Sequence, residues 1–478
     1  MEIKYIDTFR ALKNESLSME EIRRTLRDSK SARWFALAII SFTMLCGYYL
    51  TDVMAPLKPL LEKELSWNSA EYGFFTSAYG WFNVFLLMLI FGGIILDKMG
   101  VRFTGKMATI IMVIGTSIKY WAISTHSLDG MHILGMKAQV VVAGLGFATF
   151  GVGVEVAGIT VSKIIVKWFK GKEMALAMGL EMATARIGTT LAMATSIPLA
   201  TALHGVSKPV LVCLIMLCIG MIAFFLYTIM DKRLDQSIAD EVTRSGGTEP
   251  EEAFRVSDIW LILKNRGWWY IAILCVLFYS AVFPFLKYAT DLMVNKFHIA
   301  EKLAGNIPAM LPLGTILLTP LFGNIYDRKG KGATIMIIGA VILIFVHAMY
   351  SVPFLTATPL AIALIMLLGV GFSLVPSAMW PSVPKIIPEK QLGTAYGMIF
   401  LVQNIGLSLV PLLIGWVLNR FCITGKRILD GVEISNYNYT LPMIIFTILG
   451  VLALIFALLL KAEDRKKGYG LELPNIKR

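Results

Sequence analysis

A chain of 478 residues that is 56% hydrophobic and only 16% charged cannot cover its own surface with polar groups, because soluble domains are nearer a quarter charged. A mean hydropathy of +0.70 makes lipid the expected solvent and excludes disordered, collagen-like and nucleic-acid-binding chains. The +12 net charge does not restore a nucleic-acid reading, since the bases cluster beside apolar runs, where anionic lipid attracts them. Of five cysteines, Cys46, Cys213, Cys218 and Cys275 lie in apolar runs and Cys422 in a polar one. There is no Cys-x-x-Cys or Cys/His cluster, so neither a disulfide framework nor a zinc site is expected, and no cofactor is called for.

Residues 1–33 are charged throughout. They lack the apolar core of a cleavable signal and read as a cytoplasmic N-terminal segment. Runs nearly free of Asp, Glu, Lys and Arg follow at about 34–55, 72–96, 105–126, 138–165, 174–203 and 208–230. Each has roughly the 20 residues that a spanning helix needs, so 34–230 is predicted to be one six-helix bundle. Residues 231–266 carry Ser245-Gly246-Gly247 and Glu249-Pro250-Glu251-Glu252 and read as a cytoplasmic linker. Six more runs, at about 267–291, 303–326, 332–353, 357–384, 391–418 and 439–461, make a second bundle over 267–461, followed by a cytoplasmic tail at 462–478. The uncharged stretch Ala333–Pro384 is split near Pro353–Pro359, and Pro376, Pro381 and Pro384 are expected to break the tenth helix. Lys98, Arg102, Lys106, Lys167, Lys170, Lys172, Arg328, Lys329 and Lys331 fall on the same face as the basic N-terminal segment and tail. By the positive-inside rule both termini are expected in the cytoplasm.

A charge at mid-span costs about 2.5–3.5 kcal/mol and needs a partner or a function. Glu155 in the fourth span and Arg186 in the fifth fall near the midplane, and mutual pairing is expected. Glu181 points about 140° away from Arg186 around the helix. It is either a proton-coupling acid or a wet acid near the cytoplasmic boundary. Asp52, in the outer half of the first span, is a candidate for meeting substrate or gate. Lys119 and Lys287, in the outer halves of the third and seventh, are expected to snorkel outward. His347 is expected to be wet or satisfied.

The chain repeats internally. Gly93-Ile-Ile-Leu-Asp97-Lys98-Met-Gly100-Val-Arg102 and Gly323-Asn-Ile-Tyr-Asp327-Arg328-Lys-Gly330-Lys331 share G-x-x-x-D-[KR]-x-G, 230 residues apart. Gly151-Val-Gly153 with Gly369-Val-Gly371, Ala177-Met-Gly179 with Ala395-Tyr-Gly397, and Arg186-Ile187-Gly188 with Asn404-Ile405-Gly406 match at one offset of 218. The halves are therefore parallel duplicates, an arrangement suited to rocking about a midplane site.

Twelve spans, a repeat of six and two such loops resemble the major facilitator superfamily. The first loop departs in having Val101 where a base is usual. A finer resemblance, to the lysosomal dipeptide transporter branch, rests on Gly153-Val-Glu155, Val166-Lys-Trp168-Phe-Lys170-Gly-Lys172-Glu173, Ala185-Arg186-Ile-Gly188, Tyr279-Ser-Ala-Val-Phe283-Pro284-Phe285, Trp380-Pro381, and Ile387-Pro388 through Gln403-Asn404-Ile-Gly406-Leu407. The resemblance implies an all-α membrane protein with the major facilitator fold. It implies latch roles for Gly93, Asp97, Lys98, Gly100 and Arg102, and for Gly323, Asp327, Arg328, Gly330 and Lys331. It also implies that Glu155 and Arg186 hold the two ends of a dipeptide. Tyr279, Trp380 and Asn404 supply neutral groups from the second half, and Asp52 matches an acid of the branch.

The expected function is transport of a small polar solute, with a dipeptide favoured, by alternating access. The alternative is an organic anion or sugar phosphate. Uniport and proton symport both stay open. No nucleophile–base pair, metal cluster or phosphate loop points to an enzyme. Membrane lipid is the other expected partner; no nucleic acid and no obligate protein partner is evident. A multi-pass protein of a bacterial inner membrane is expected.

Overall fold

Apolar segments with no water to satisfy their amides cross a bilayer as helices, and the long runs of this chain do form helices. The structure, a computed structural model, describes residues 29–133, 135–169, 174–245, 256–388, 392–429 and 431–474. The first span is Lys30–Asp52, with the Ser29 side chain accepting from the Ala32 amide at its start. The third to seventh are Lys98–Ser124, Ala138–Phe169, Met174–Ala202, Lys208–Gln236 and Arg266–Phe297. The eighth to twelfth are Glu301–Lys329, Gly332–Ser351, Thr358–Ile386, Leu392–Phe421 and Thr440–Lys467. Among the described residues ten helices are long and apolar enough to cross a membrane, and eleven when the bent second span is counted as one. The fifth makes the twelfth of the set. It falls short of that hydropathy because Glu181, Arg186 and a series of Thr and Ser residues dilute it.

Several expectations need correcting. The second run is not one helix: Ser69–Phe85 and Met88–Leu96 meet at 56°, with Leu87 in the left-handed region at φ 52°. The tenth span is continuous despite Pro376, Pro381 and Pro384. Proline 384 leaves the Trp380 carbonyl without its helical donor, and the Tyr396 hydroxyl donates to that carbonyl at 3.0 Å. Within 231–266 the sixth helix runs on to Ser245 and a short helix spans Val256–Leu263, neither of which bears on its reading as a linker. Residues 246–255, most of the N-terminal segment, Lys170, Lys172, Lys477 and Arg478 lie outside the described residues. Two antiparallel hairpins, His132–Ile133 with Met136–Lys137 and Ile423–Leu429 with Val432–Tyr437, were not anticipated. Both sit on the face opposite the termini, here called the hairpin face.

The sequence repeat is a packing repeat. A methyl on Gly188 would stand 2.4 Å from the Leu45 carbonyl of the first span, and one on Gly406 would stand 2.0 Å from Ser280 Oγ of the seventh. The fifth span thus lies against the first as the eleventh lies against the seventh. Likewise Gly153 abuts Met112 and Ala108 in the third span, and Gly371 abuts Ile342 and Gly339 in the ninth. Two bundles of six helices result, with the charged positions 155 and 186 in the first and their neutral counterparts Ser373 and Asn404 in the second.

Candidate substrate-binding site

The hairpin face is closed by contacts between the two halves. Lys58 Nζ meets Asp291 Oδ2 at 2.7 Å with both side chains 2% exposed, and the Tyr439 hydroxyl donates to the same oxygen. Lys287 Nζ lies 2.6 Å from Asp52 Oδ1 and 2.7 Å from the Thr51 carbonyl. Tyr72 donates to the Lys287 carbonyl at 2.8 Å. Glu62 accepts from the Ser435 amide at 2.7 Å and from the Tyr437 hydroxyl, which ties the large hairpin of the second half to the first. The cross-half hydrogen bonds and ion pairs named above all lie on this side. The protein is therefore closed at the hairpin face and parted toward the termini.

Asp52 and Lys287 thus form a cross-half pair, which corrects the expectation that Lys287 snorkels outward. Lys119 does not snorkel either. It is fully buried, with its ammonium 5.2 Å from the Phe75 ring and 4.4 Å from Phe147, and Nζ has no hydrogen-bond partner among the described residues. His347 is buried and satisfied at Nε2, 2.9 Å from the Ala281 carbonyl.

Below this closure lie the mid-span charges. Glu155 and Arg186 do not pair, contrary to expectation. The Tyr79 hydroxyl donates to Glu155 Oε1 at 2.8 Å. The Arg186 guanidinium instead crosses to the second half and rests 5.5 Å from the Phe283 ring and 5.3 Å from Phe372. Cation–π contact at a half-buried guanidinium is worth about 0.5–2 kcal/mol. Phe283 and Phe372 pack on Tyr279 with ring centroids at 5.5 and 5.7 Å. Trp380 Nε1 donates to the Tyr279 hydroxyl at 3.1 Å, and Phe400 stacks on Trp380 at 5.1 Å. Tyr48 lies within electrostatic reach of Arg186, Glu155, Glu181 and Asp52.

Five of the six candidate ligand residues therefore fall around one region, while Asp52 belongs to the closure above it. Asn404 sits at the crossing of the second and eleventh spans. Its amide donates to the Phe400 carbonyl at 3.0 Å, and its Oδ1 is buried without a partner. Glu181 is half-buried and makes no ion pair among the described residues. Tyr79, Phe372 and Phe400 were missed by the sequence, because an aromatic in an apolar run looks like core packing until its neighbours are known.

The two repeated loops end the second and eighth spans. Gly100, at φ 74°, and Gly330, at φ 69°, turn the chain in a region that L side chains avoid. In the first loop Arg102 bonds Asp235 at 2.7 Å and lies 3.7 Å from Asp231. Lys167 bonds the same two acids at 2.6 and 2.8 Å. In the second loop the Lys331 and Gly332 amides donate to the carbonyls of Glu472 and Leu471, at 2.9 Å each. Lys98, Arg328 and Lys331 are exposed; the Asp97 side chain lies outside the described residues. Gly93 and Gly323 have open space beside them.

The profile of the Major Facilitator Superfamily matches residues 37–411 and, a second time, 293–474. The lysosomal dipeptide transporter MFSD1 of Mus musculus is 28% identical over 397 residues, 81% of this chain and 80% of that protein. Among solved structures, a bacterial homologue of the human lysosomal transporter Spinster, inward-facing and occupied, superposes with TM-score 0.68 at 14% identity, covering 92% of this chain and 98% of that one. A D-xylose–proton symporter superposes with TM-score 0.65 at 14% identity over 89% of this chain and 97% of its own. At those identities the structural likeness is one of fold. The chain belongs to the major facilitator superfamily: it is a multi-pass membrane transporter of a small molecule and not an enzyme.

Proposed function

We propose that this member of the major facilitator superfamily carries dipeptides, with Glu155 receiving the peptide amine and Arg186 the carboxylate. The observation that supports the reading is the separation of acid from base. Glu155 is held by Tyr79 and Arg186 lies on Phe283 and Phe372, so neither neutralises the other. A zwitterion supplies both missing counter-charges at once. Guanidinium can grip its carboxylate bidentately, and the aromatic bed of Tyr279, Phe283, Phe372 and Trp380 offers apolar cover for side chains of varied shape. Asn404 Oδ1, buried without a partner, is an acceptor for the peptide N–H. The likeness to a lysosomal dipeptide transporter points the same way.

Asp52 contributes in this reading as a gate through Lys287, and Glu181 remains the candidate for proton coupling. The two glycine–aspartate loops act as latches at the terminal face, which the distribution of bases assigns to the cytoplasm. Residues 34–230 and 267–461 move as the two bodies, joined by 231–266.

The test uses ligands with blocked ends, read by thermal stabilisation of the purified protein. N-acetylation of the dipeptide is expected to weaken binding to the wild type at least tenfold and to matter little in Glu155→Gln. C-terminal amidation is expected to behave likewise with Arg186→Gln. Equal binding of blocked and free peptides to the wild type would refute the clamp. Stabilisation by a phosphorylated sugar instead would make the organic-anion reading the correct one.

A further inference from the structure

At the terminal face of the second half, away from the central site, the start of the seventh span and the end of the twelfth border a half-open groove of ≈ 450 Å³ lined by Lys264, Asn265, Arg266, Glu463, Lys466, Lys467 and Tyr469, with the four cations exposed to its mouth. Four of these residues are cations and one is an acid. None of the four cations lies within ion-pair distance of a carboxylate among the described residues. The walls are fixed. Asn265 caps the seventh span by accepting from the Trp268 amide at 3.2 Å, and its amide donates to the Ile386 carbonyl at 3.3 Å. The tail closes one side: Tyr469 reaches Asn265 Oδ1 at 3.4 Å, and the Leu471 amide donates to Asp464 Oδ1 at 3.1 Å. Four cations around one groove attract an anion; the positive end of the seventh helix is offset there by the negative end of the twelfth, so the attraction rests on the side chains.

The surroundings say where that anion comes from. The short helix Val256–Leu263 leads straight into Lys264, and its Trp260 and Leu261 are 67% and 57% exposed. Trp269, on the first turn of the seventh span, is also exposed and donates its indole N–H to the Leu263 carbonyl at 2.8 Å. Exposed tryptophans beside basic residues at the end of a span mark the headgroup level of a bilayer. On the twelfth span, Leu458 and Leu459 are exposed about two turns nearer the bilayer centre, where acyl chains run.

We propose that this groove is a binding site for the phosphate headgroup of an anionic phospholipid, gripped by Lys264, Arg266, Lys466 and Lys467 with its chains against the apolar flank below. Basic pockets between spans are suited to this use. A bound headgroup would join the seventh span, the twelfth span and the tail, and through the tail the second glycine–aspartate loop.

The full-length protein in neutral detergent is titrated with dioctanoyl phosphatidylglycerol, dioctanoyl phosphatidylcholine and inorganic phosphate. Bound lipid is counted by native mass spectrometry and the unfolding midpoint is followed in parallel. Phosphatidylglycerol is expected to bind and stabilise, and phosphatidylcholine and inorganic phosphate are not. Lys466→Gln/Lys467→Gln is expected to need about thirtyfold more phosphatidylglycerol for the same stabilisation, at roughly 1 kcal/mol per base near the surface. Arg266→Gln should weaken it severalfold, while Lys426→Gln, on the hairpin face, should change nothing. Because the four cations have no carboxylate partners among the described residues, their variants should unfold at the wild-type midpoint when no lipid is added. Equal responses to the two lipids, or a double variant that titrates like the wild type, would overturn the proposal. An equal response to inorganic phosphate would overturn the assignment to lipid.

Discussion

Lys119 holds its ammonium between two phenylalanine faces with no hydrogen-bond acceptor in reach among the described residues. Desolvated cation–π contact returns about 2 kcal/mol, less than the several kcal/mol that burying an ammonium costs. Lys119→Met is therefore expected to raise the unfolding midpoint, and a lowered midpoint would show that the amine is satisfied in the native protein. Asp52 and Lys287 are the opposite case, since each completes the other across the two halves at 2.6 Å. Removing one partner of a buried pair costs about 3–5 kcal/mol, and here that cost falls only on the conformation closed at the hairpin face. Lys287→Met should shift the population toward opening there. Alkylation of a cysteine introduced at Thr51 should then speed up more than tenfold, and Asp52→Asn added to Lys287→Met should reverse most of the gain. Unchanged labelling in the single variant would mean that the pair does not hold the gate. The sequence located both lysines and the aspartate but not their partners. Side chains at the end of one span can turn to water, to their own bundle or across to the other, and hydropathy does not distinguish these directions.

At the scale of elements, the second and eleventh spans approach so closely that side chains are excluded. A methyl on Gly73 would stand 2.7 Å from the Pro411 carbonyl and 2.8 Å from Gly415 Cα, and one on Gly415 would stand 2.4 Å from the Ser69 carbonyl. Real Cβ atoms do not occupy such positions, so Gly73→Leu is expected to prevent this contact from forming. Because the clash exists only in the state closed at the hairpin face, the variant should insert normally, lose transport and remain open on that face to a membrane-impermeant thiol reagent. Wild-type uptake by Gly73→Leu would show that the two helices need not meet in the transport cycle. Gly73 and Gly415 were not singled out in the sequence because neither lies in the repeat, and a glycine in an apolar run gives no sign of what stands beside it. The repeated positions Gly188 and Gly406 were legible because duplication preserved them together with their neighbours. The three prolines of the tenth span misled for a related reason. A proline in isolation breaks a helix, whereas Tyr396 satisfies the carbonyl that Pro384 leaves free, and that donor comes from another helix.

For the whole molecule, the number of spans and the duplication could be read directly, since bilayer thickness fixes the length of an apolar run and a repeat needs no structure to be seen. Arg186 and Glu155 were legible as mid-span charges because lipid makes such residues rare. Their separation was not, because Tyr79 lies 76 positions before Glu155 and Phe283 lies 97 positions after Arg186. The state of the molecule was not legible either, since one sequence must encode both openings. In the structure, the halves touch from the hairpin face down to the crossing where a Cβ on Gly80 would stand 2.2 Å from Ser408 Oγ. If transport requires this crossing to open, a covalent link there must stop it. In a background from which the five native cysteines have been removed, Gly80→Cys/Ser408→Cys is expected to form a disulfide on mild oxidation, because a sulfur on either side lies within bonding reach of the other. Uptake into proteoliposomes should fall to background on oxidation and return on reduction, while each single variant should be indifferent to both treatments. The cross-linked protein should still bind free dipeptide from the terminal face, because the link involves neither Glu155 nor Arg186. Transport that survives complete cross-linking would mean that the halves do not separate at the hairpin face, and alternating access by rocking would not describe this protein.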